Sequence, residues 1–219
     1  TFVQGLMNSC NPVFIKVGEM LGAERFFKYF AAFGLTEKTG IDLPGEAGSL
    51  YYTASQLNPV ELATESFGQN FSITPIQMVT AAAAVANGGY LVQPHLVSQV
   101  LDSDGNIVQS VDTKVKRQVI SEDVSRRMSK ILQMNATTGT AKNGYLPGYR
   151  VAGKTGTSEK VAEYIAGGKK KMEYIASYCG FAPADDPQIA LLVFFDEPAG
   201  DSYYGGALGG PVFGKMMEE

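Results

Sequence analysis

Residue types that several functional classes require are scarce in this sequence of 219 residues. It has two cysteines, Cys10 and Cys179, far apart and without Cys-x-x-Cys spacing, and a single histidine, His95, which argues against a zinc site. Both cysteines are expected to be free buried thiols, with a disulfide as the alternative if the protein is extracellular. No apolar run reaches the 18 residues of a membrane span. Positive charge is not in excess, since the net charge is −4, and this argues against a nucleic-acid partner.

The remaining composition, 45% hydrophobic and 18% charged, is that of a globular chain long enough to bury its own core. Residues 1–136, approximately, form an α-rich part, and residues 137–219 form a sheet part that ends in a helix. Residues 1–6 show no helix start, so no element is predicted there. The predicted elements are a helix from Val13 to Leu21, helices over 23–33, after Thr74-Pro75-Ile76-Gln77 and after Ser121, a hairpin over 94–109, and strands over 149–157, 173–181 and 188–196. Lys169-Lys170-Lys171 predicts a solvated hairpin tip.

A phosphate-binding pattern is present between Gly148 and Thr155, where Gly-x-x-x-x-Gly-Lys-Thr matches the P-loop. The apolar run that ends at Asp196 resembles the strand that holds magnesium in such enzymes. A P-loop must follow a strand and open a helix, so that backbone N–H groups surround the phosphates. Here the residues before Gly148 are a poor strand, the loop interior favours a strand, and Gly156 is a poor helix opener. The local context therefore argues against nucleotide binding.

The same lysine supports a second interpretation, in which Lys154-Thr155-Gly156-Thr157 lies on an edge strand beside a cleft. Lys154 offers a positive charge, and Thr155 and Thr157 offer hydroxyl and amide donors. Gly156 removes a side chain where a substrate backbone would lie close. This combination suits an acyl-transfer site, which must hold a carboxylate and an oxyanion together.

Far upstream, Ser9-Cys10-Asn11 forms a Ser-x-Asn triplet ahead of Pro12 and a helix. The Ser9 hydroxyl is suited to relay a proton, and the Asn11 amide is suited to hold a peptide group. Taken alone, the triplet is equally typical of a turn or a helix cap. Lys-Thr-Gly-Thr is the rarer pattern, and the two together carry the hypothesis.

The pair, in this order, resembles the second and third motifs of serine penicillin-binding proteins and serine β-lactamases. The similarity covers nearly the whole chain and fits best the transpeptidase domain of class B, monofunctional D,D-transpeptidases. Further segments that resemble this domain are Phe67-Gly68-Gln69-Asn70, Ile73-Thr74-Pro75-Ile76-Gln77-Met78, Ala86-Asn87-Gly88-Gly89, Thr138-Gly139-Thr140-Ala141 and Gly209-Gly210-Pro211-Val212-Phe213. The resemblance implies a fold of the penicillin-binding protein and serine β-lactamase class, α/β, with an antiparallel sheet flanked by helices and an α-rich subdomain.

By the same resemblance, Ser9 relays a proton towards the leaving group and Asn11 binds the substrate's amide. Lys154 attracts the substrate carboxylate and assists the proton path through Ser9. Thr155 and Thr157 flank that carboxylate, and the Thr157 N–H forms half of an oxyanion hole. The implied partners are peptidoglycan stem peptides ending in D-Ala-D-Ala and β-lactam antibiotics, with no metal or organic cofactor.

One motif of the family is missing. The nucleophile comes from Ser-x-x-Lys, and no lysine of this sequence has a serine three positions before it. We therefore expect the chain to begin after the nucleophile helix, to lack the first strands of the domain and to be inactive alone. The resemblance further implies a membrane-anchored parent on the outer side of the bacterial cell membrane, associated with cell-wall synthesis and cell-division proteins. The alternatives are a D,D-carboxypeptidase, a β-lactamase-like hydrolase, a catalytically silent relative and, least favoured, the P-loop protein.

Overall fold

The computed structural model describes residues 1–161, 165 and 172–219, so the predicted lysine tip, Lys169-Lys170-Lys171, lies outside the described residues. The described helices that we number are α1 (Phe2–Met7), α2 (Asn11–Leu21), α3 (Ala23–Ala32), α4 (Pro59–Ser66), α5 (Pro75–Ala86), α6 (Glu122–Thr138) and α7 (Gly205–Glu218). The strands are β1 (Tyr90–Gln93), β2 (Gln99–Leu101), β3 (Ile107–Ser110), β4 (Lys114–Gln118), β5 (Ala152–Glu159), β6 (Tyr174–Ala182) and β7 (Ile189–Asp196). None of these described helices is long and apolar enough to cross a membrane.

The first helix corrects the expectation that residues 1–6 form no element. Thr1 and Gln4 make a capping box: the Thr1 hydroxyl accepts from the Gln4 backbone N–H, and the Gln4 side chain accepts from the Thr1 backbone nitrogen. The Thr-x-x-Gln spacing satisfies two helix-end donors at once, so the signal for this helix is local. Gly5 then allows α1 to lie against α2, because a Cβ there would fall 2.5 Å from Val13 Cγ1.

The remaining helix predictions for the front of the chain are confirmed. Helix α3 places Phe26, Phe27 and Phe30 towards the core, with Phe30 buried and its ring 5.2 Å from that of Phe71. The Thr74 cap, with Gln77 reaching back, starts α5 as predicted. Ser121 caps α6 by accepting from the Val124 N–H.

The α-rich part also contains two small antiparallel sheets. The predicted hairpin forms from β2 and β3, and both strands are exposed. Strands β1 and β4 pair with a bulge after Leu91, a pairing that the sequence analysis did not predict. The division near residue 136 stays a prediction, and α6 runs across it.

The main sheet is antiparallel in the order β5-β6-β7, and its three strands confirm the three predicted runs. Helix α7 covers one face, where Phe213 packs against Tyr178 and Val193. On the other face, Phe181 packs with residues of α5 and α6. In the register, Lys154 stands opposite Cys179 in the middle of the β5-β6 pair. The P-loop interpretation is therefore wrong, because its lysine lies inside a paired strand and not in a loop that opens a helix.

Candidate active site

Ser9 occupies a tight turn between α1 and α2. Its φ of 50° lies in the left-handed region, which a residue with a side chain rarely adopts. The turn is held by two backbone bonds, from Ser9 N to Leu6 O (3.1 Å) and from Cys10 N to Gly5 O (2.8 Å). Cys10 follows Ser9 and precedes α2, and Asn11 is the exposed first residue of α2. A strained residue held by its surroundings is typical of functional sites.

Lys154 reaches this turn from β5. Its Nζ donates to Ser9 Oγ at 2.8 Å and to the Thr155 carbonyl at 2.8 Å, so the two motifs, 145 residues apart in sequence, meet directly. Desolvation lowers the pKa of Lys154 to about 8. Lys154 forms no ion pair with any carboxylate in the described part of the chain. An ammonium with hydrogen-bond partners but no counter-ion is suited to attract an external carboxylate.

The two threonines of the motif point to the face of β5 opposite Lys154, because side chains alternate along a strand. Thr155 Oγ1 lies 3.4 Å from the hydroxyl of Thr140. Thr157 Oγ1 accepts from the N–H of Gly205 at 3.3 Å, so it caps the first turn of α7, which has no cap of its own. Both hydroxyls are thereby fixed beside the site strand.

Gly156 has a packing role that the sequence analysis did not foresee. A Cβ at this position would lie 2.5 Å from Ser177 Oγ on the neighbouring strand β6. The absence of a side chain at Gly156 therefore leaves room for the Ser177 hydroxyl beside the site strand. Clearance for a substrate backbone at Gly156 stays a prediction.

Residues that the sequence analysis did not assign to the site hold its parts together. The Thr140 N–H donates to the carbonyl of Met7, just before the Ser9 turn, at 2.9 Å. Asn135 is fully buried in α6, and its Nδ2 donates to the Gly153 carbonyl, next to Lys154, at 2.7 Å. The Thr138-Gly139-Thr140-Ala141 segment carries part of the family resemblance, but no local pattern marks Asn135.

The other singled-out residues lie apart from this arrangement. Both cysteines are free, as expected, but only Cys179 is buried; Cys10 is half-buried. Burial raises the pKa of the Cys179 thiol to about 12. The His95 ring nitrogen Nδ1 lies 2.9 Å from the Val97 carbonyl on the surface. Among the described residues, no cluster of three or more His, Cys, Asp or Glu side chains has the arrangement of a metal site.

Known proteins are similar to this chain in sequence and in fold. A family model for the penicillin binding protein transpeptidase domain matches residues 1–218. Stage V sporulation protein D of Bacillus subtilis (strain 168) is 41% identical over 220 residues, covering 100% of this chain and 34% of that protein. The peptidoglycan D,D-transpeptidase FtsI of Escherichia coli (strain K12) is 31% identical over 214 residues, covering 97% of this chain and 34% of that protein.

Penicillin binding protein 3 from Mycobacterium tuberculosis, solved in complex with aztreonam, superposes with a TM-score of 0.85 at 27% identity, covering 100% of this chain and 50% of that one. The predicted α/β fold of the penicillin-binding protein class is thereby confirmed. The chain spans about a third of the length of the curated relatives named above. Because the family model accounts for all but the last residue, the chain belongs to the penicillin-binding protein transpeptidase domain family.

Proposed function

We propose that the protein of which this chain forms part is a peptidoglycan D,D-transpeptidase, which cross-links stem peptides by serine acyl transfer at D-Ala-D-Ala. The observation that carries the proposal is the 2.8 Å hydrogen bond from Lys154 Nζ to Ser9 Oγ, which joins the two predicted motifs in one site. The family assignment and the D,D-transpeptidase name of a relative at 31% identity support it.

The first step is acylation. The nucleophilic serine, assigned to a Ser-x-x-Lys motif outside residues 1–219, gives its hydroxyl proton to the lysine of that motif and attacks the carbonyl carbon of the penultimate D-alanine. The Thr157 N–H donates to the resulting oxyanion. When the C–N bond breaks, Ser9 Oγ–H gives its proton to the departing amine and takes one from Lys154 Nζ. Near neutral pH most Lys154 side chains hold that proton, because the pKa is about 8.

Substrate orientation is assigned to the remaining motif residues. Lys154 attracts the terminal carboxylate, and the hydroxyls of Thr155 and Thr157 flank it. Asn11 hydrogen-bonds the substrate's amide from the exposed start of α2. In the second step, an amine of a neighbouring strand attacks the acyl-enzyme ester, forms the cross-link and releases the serine.

The proposed enzyme acts in the bacterial cell envelope. Its partners are stem peptides and β-lactam antibiotics, which resemble the substrate and acylate the same serine. The enzyme is anchored in the bacterial cell membrane, faces the extracytoplasmic side and works with proteins of cell-wall synthesis and cell division. Residues 1–219 alone are inactive, since they hold the second and third motifs without Ser-x-x-Lys.

The test is the intact-mass shift produced by benzylpenicillin on the protein with its upstream residues restored. A single adduct on a serine before Thr1 is the expected result. A folded protein without an adduct would favour a catalytically silent relative. An adduct on a serine within residues 1–219 would overturn the assignment of the nucleophile.

A second measurement separates the transpeptidase from its hydrolytic alternatives. The same protein is incubated with a stem pentapeptide, with and without an acceptor amine. Release of D-alanine together with formation of the amide product supports transfer to an amine. Release without amide product identifies a carboxypeptidase, and rapid turnover of benzylpenicillin identifies a lactamase-like hydrolase.

A further inference from the structure

The outer edge of β5, which faces away from β6, is occupied by side chains. Because the N–H and C=O of one strand residue point to the same side, Gly153, Thr155 and Thr157 present both groups at this edge. Asn135 Nδ2 donates to the Gly153 carbonyl at 2.7 Å, and Lys154 Nζ donates to the Thr155 carbonyl at 2.8 Å. The next carbonyl, that of Thr157, accepts from a residue that the catalytic proposal does not use.

That residue is Gln69. Its Nε2 donates to the Thr157 carbonyl at 3.2 Å, and its Oε1 accepts from the Glu159 backbone N–H at 3.3 Å. Oε1 also accepts from Ser158 Oγ at 3.3 Å. One donor and one acceptor, offered to a C=O and to the N–H two residues later, are what a neighbouring strand would supply. The amide of Gln69 therefore takes the place of a neighbouring strand at this edge.

The loop that presents Gln69 has a defined conformation. Gly68 (φ 91°) and Asn70 (φ 70°), on either side of Gln69, are both in the left-handed region. The Gln69 backbone N–H donates to the Thr64 carbonyl in α4 at 3.2 Å. The side chain thus bonds across 88 to 90 residues of sequence from a position that is itself fixed to a helix.

We infer that Gln69 is a positioning residue for acyl transfer, which fixes the Thr157 unit of β5 so that the Thr157 N–H faces the oxyanion. This inference rests on the proposed function. The Thr157 C=O that Gln69 holds and the Thr157 N–H belong to one residue and lie on one edge. Strand β6 still holds the inner edge of β5 at Ser158. Loss of the Gln69 amide therefore releases only the outer edge, where the peptide units at Thr157 tilt and the N–H donor shifts. A misplacement of about 1 Å in such a site costs up to about 100-fold in rate.

The experiment compares Gln69→Ala, Gln69→Glu and the wild type in the protein with its upstream residues restored. Gln109→Ala, at an exposed position of the β2-β3 hairpin, is the matched control. Acylation by a fluorescent penicillin is followed at several concentrations, so that the first-order acylation constant, the dissociation constant and the active fraction are obtained separately. We expect Gln69→Ala to lower the acylation constant by about 10- to 100-fold. The dissociation constant and active fraction should change little, whereas partial unfolding would lower the active fraction.

Hydrogen exchange gives a readout that needs no catalysis. Mass spectrometry of peptides covering residues 155–160 should show faster exchange in Gln69→Ala, since the Glu159 N–H loses its acceptor. Gln69→Glu keeps the acceptor for Glu159 but loses the donor to Thr157. It should therefore exchange like the wild type and still acylate slowly, which links the rate to the Thr157 bond. Because Glu has nearly the shape of Gln, the Gln69→Glu variant also tests the inference if Gln69→Ala does not fold.

Wild-type acylation constants in both Gln69 variants would overturn the inference, and so would unchanged exchange in Gln69→Ala. If the wild-type protein does not acylate, the proposed function fails, and the catalytic role of Gln69 fails with it. The exchange data still decide in that case whether Gln69 holds the strand, so the two failures are distinguishable.

Discussion

Glu65 in α4 is expected to make the fold less stable as the pH rises. Its side chain is only 3% exposed, and its Oε1 has no hydrogen-bond partner among the described residues. Burial raises its pKa from 4.5 to about 7, against the opposing effect of the Tyr52 backbone N–H, and the nearby Glu61 carboxylate raises it further. A carboxyl group in this position favours its neutral form.

The size of the effect follows from the two pKa values. The pKa of Glu65 is near 4.5 in the unfolded chain and near 7 in the folded chain. Between these two pH values the folded state therefore binds more protons than the unfolded state. The free energy of unfolding therefore falls as the pH rises through this interval. A tenfold change in proton affinity corresponds to about 1.4 kcal/mol, and the whole interval amounts to about 3 kcal/mol. Below pH 4.5 both states are protonated, and the contribution vanishes.

The substitution Glu65→Gln removes the titration while keeping the shape. The new amide also brings a donor close to Glu61, whose buried Oε2 lacks a partner among the described residues. Relative to the wild type, the variant should gain about 2–3 kcal/mol in the free energy of unfolding between pH 4.5 and about pH 8. Urea unfolding at the two pH values measures this gain, and Glu24→Gln, exposed on α3, reports the effect of the amide substitution itself. An equal stability difference at both pH values would refute the reasoning.

Three further predictions concern the site and its supports. Acylation of the restored protein by penicillin should fall as the pH rises through about 8, since Lys154 loses the proton it supplies, and a rate that keeps rising above this pH would contradict the assignment. Asn135→Ala should lower the free energy of unfolding by about 1–3 kcal/mol, because the buried Gly153 carbonyl loses its side-chain donor; an unchanged melting temperature would speak against this. A maleimide should modify Cys10 well before Cys179, whose buried thiol has a pKa raised to about 12, and equal labelling by mass spectrometry would disprove it.

Elements whose signals are local could be predicted from the sequence. The Thr74 and Ser121 caps, the hairpin over 94–109 and the three strand runs each depend on residues a few positions apart. The helix at residues 2–7 belongs to the same class, since the Thr1 and Gln4 side chains that start it are three residues apart. The family resemblance followed from the motifs, because their residue types and spacing are distinctive.

The amino-acid sequence alone was therefore enough for the elements with local signals, for the family and for the residues of the two motifs, but not for α4, β1 or β4. Three features follow from the packed chain alone: Lys154 contacts Ser9, Gln69 bonds to the edge of β5, and Glu65 is buried with no partner for Oε1 among the described residues. The first two contacts join residues 88 or more positions apart, and the third depends on how α4 packs. Hydrogen-bond partners and desolvation depend on which surfaces meet after folding, and no spacing within a single element encodes them.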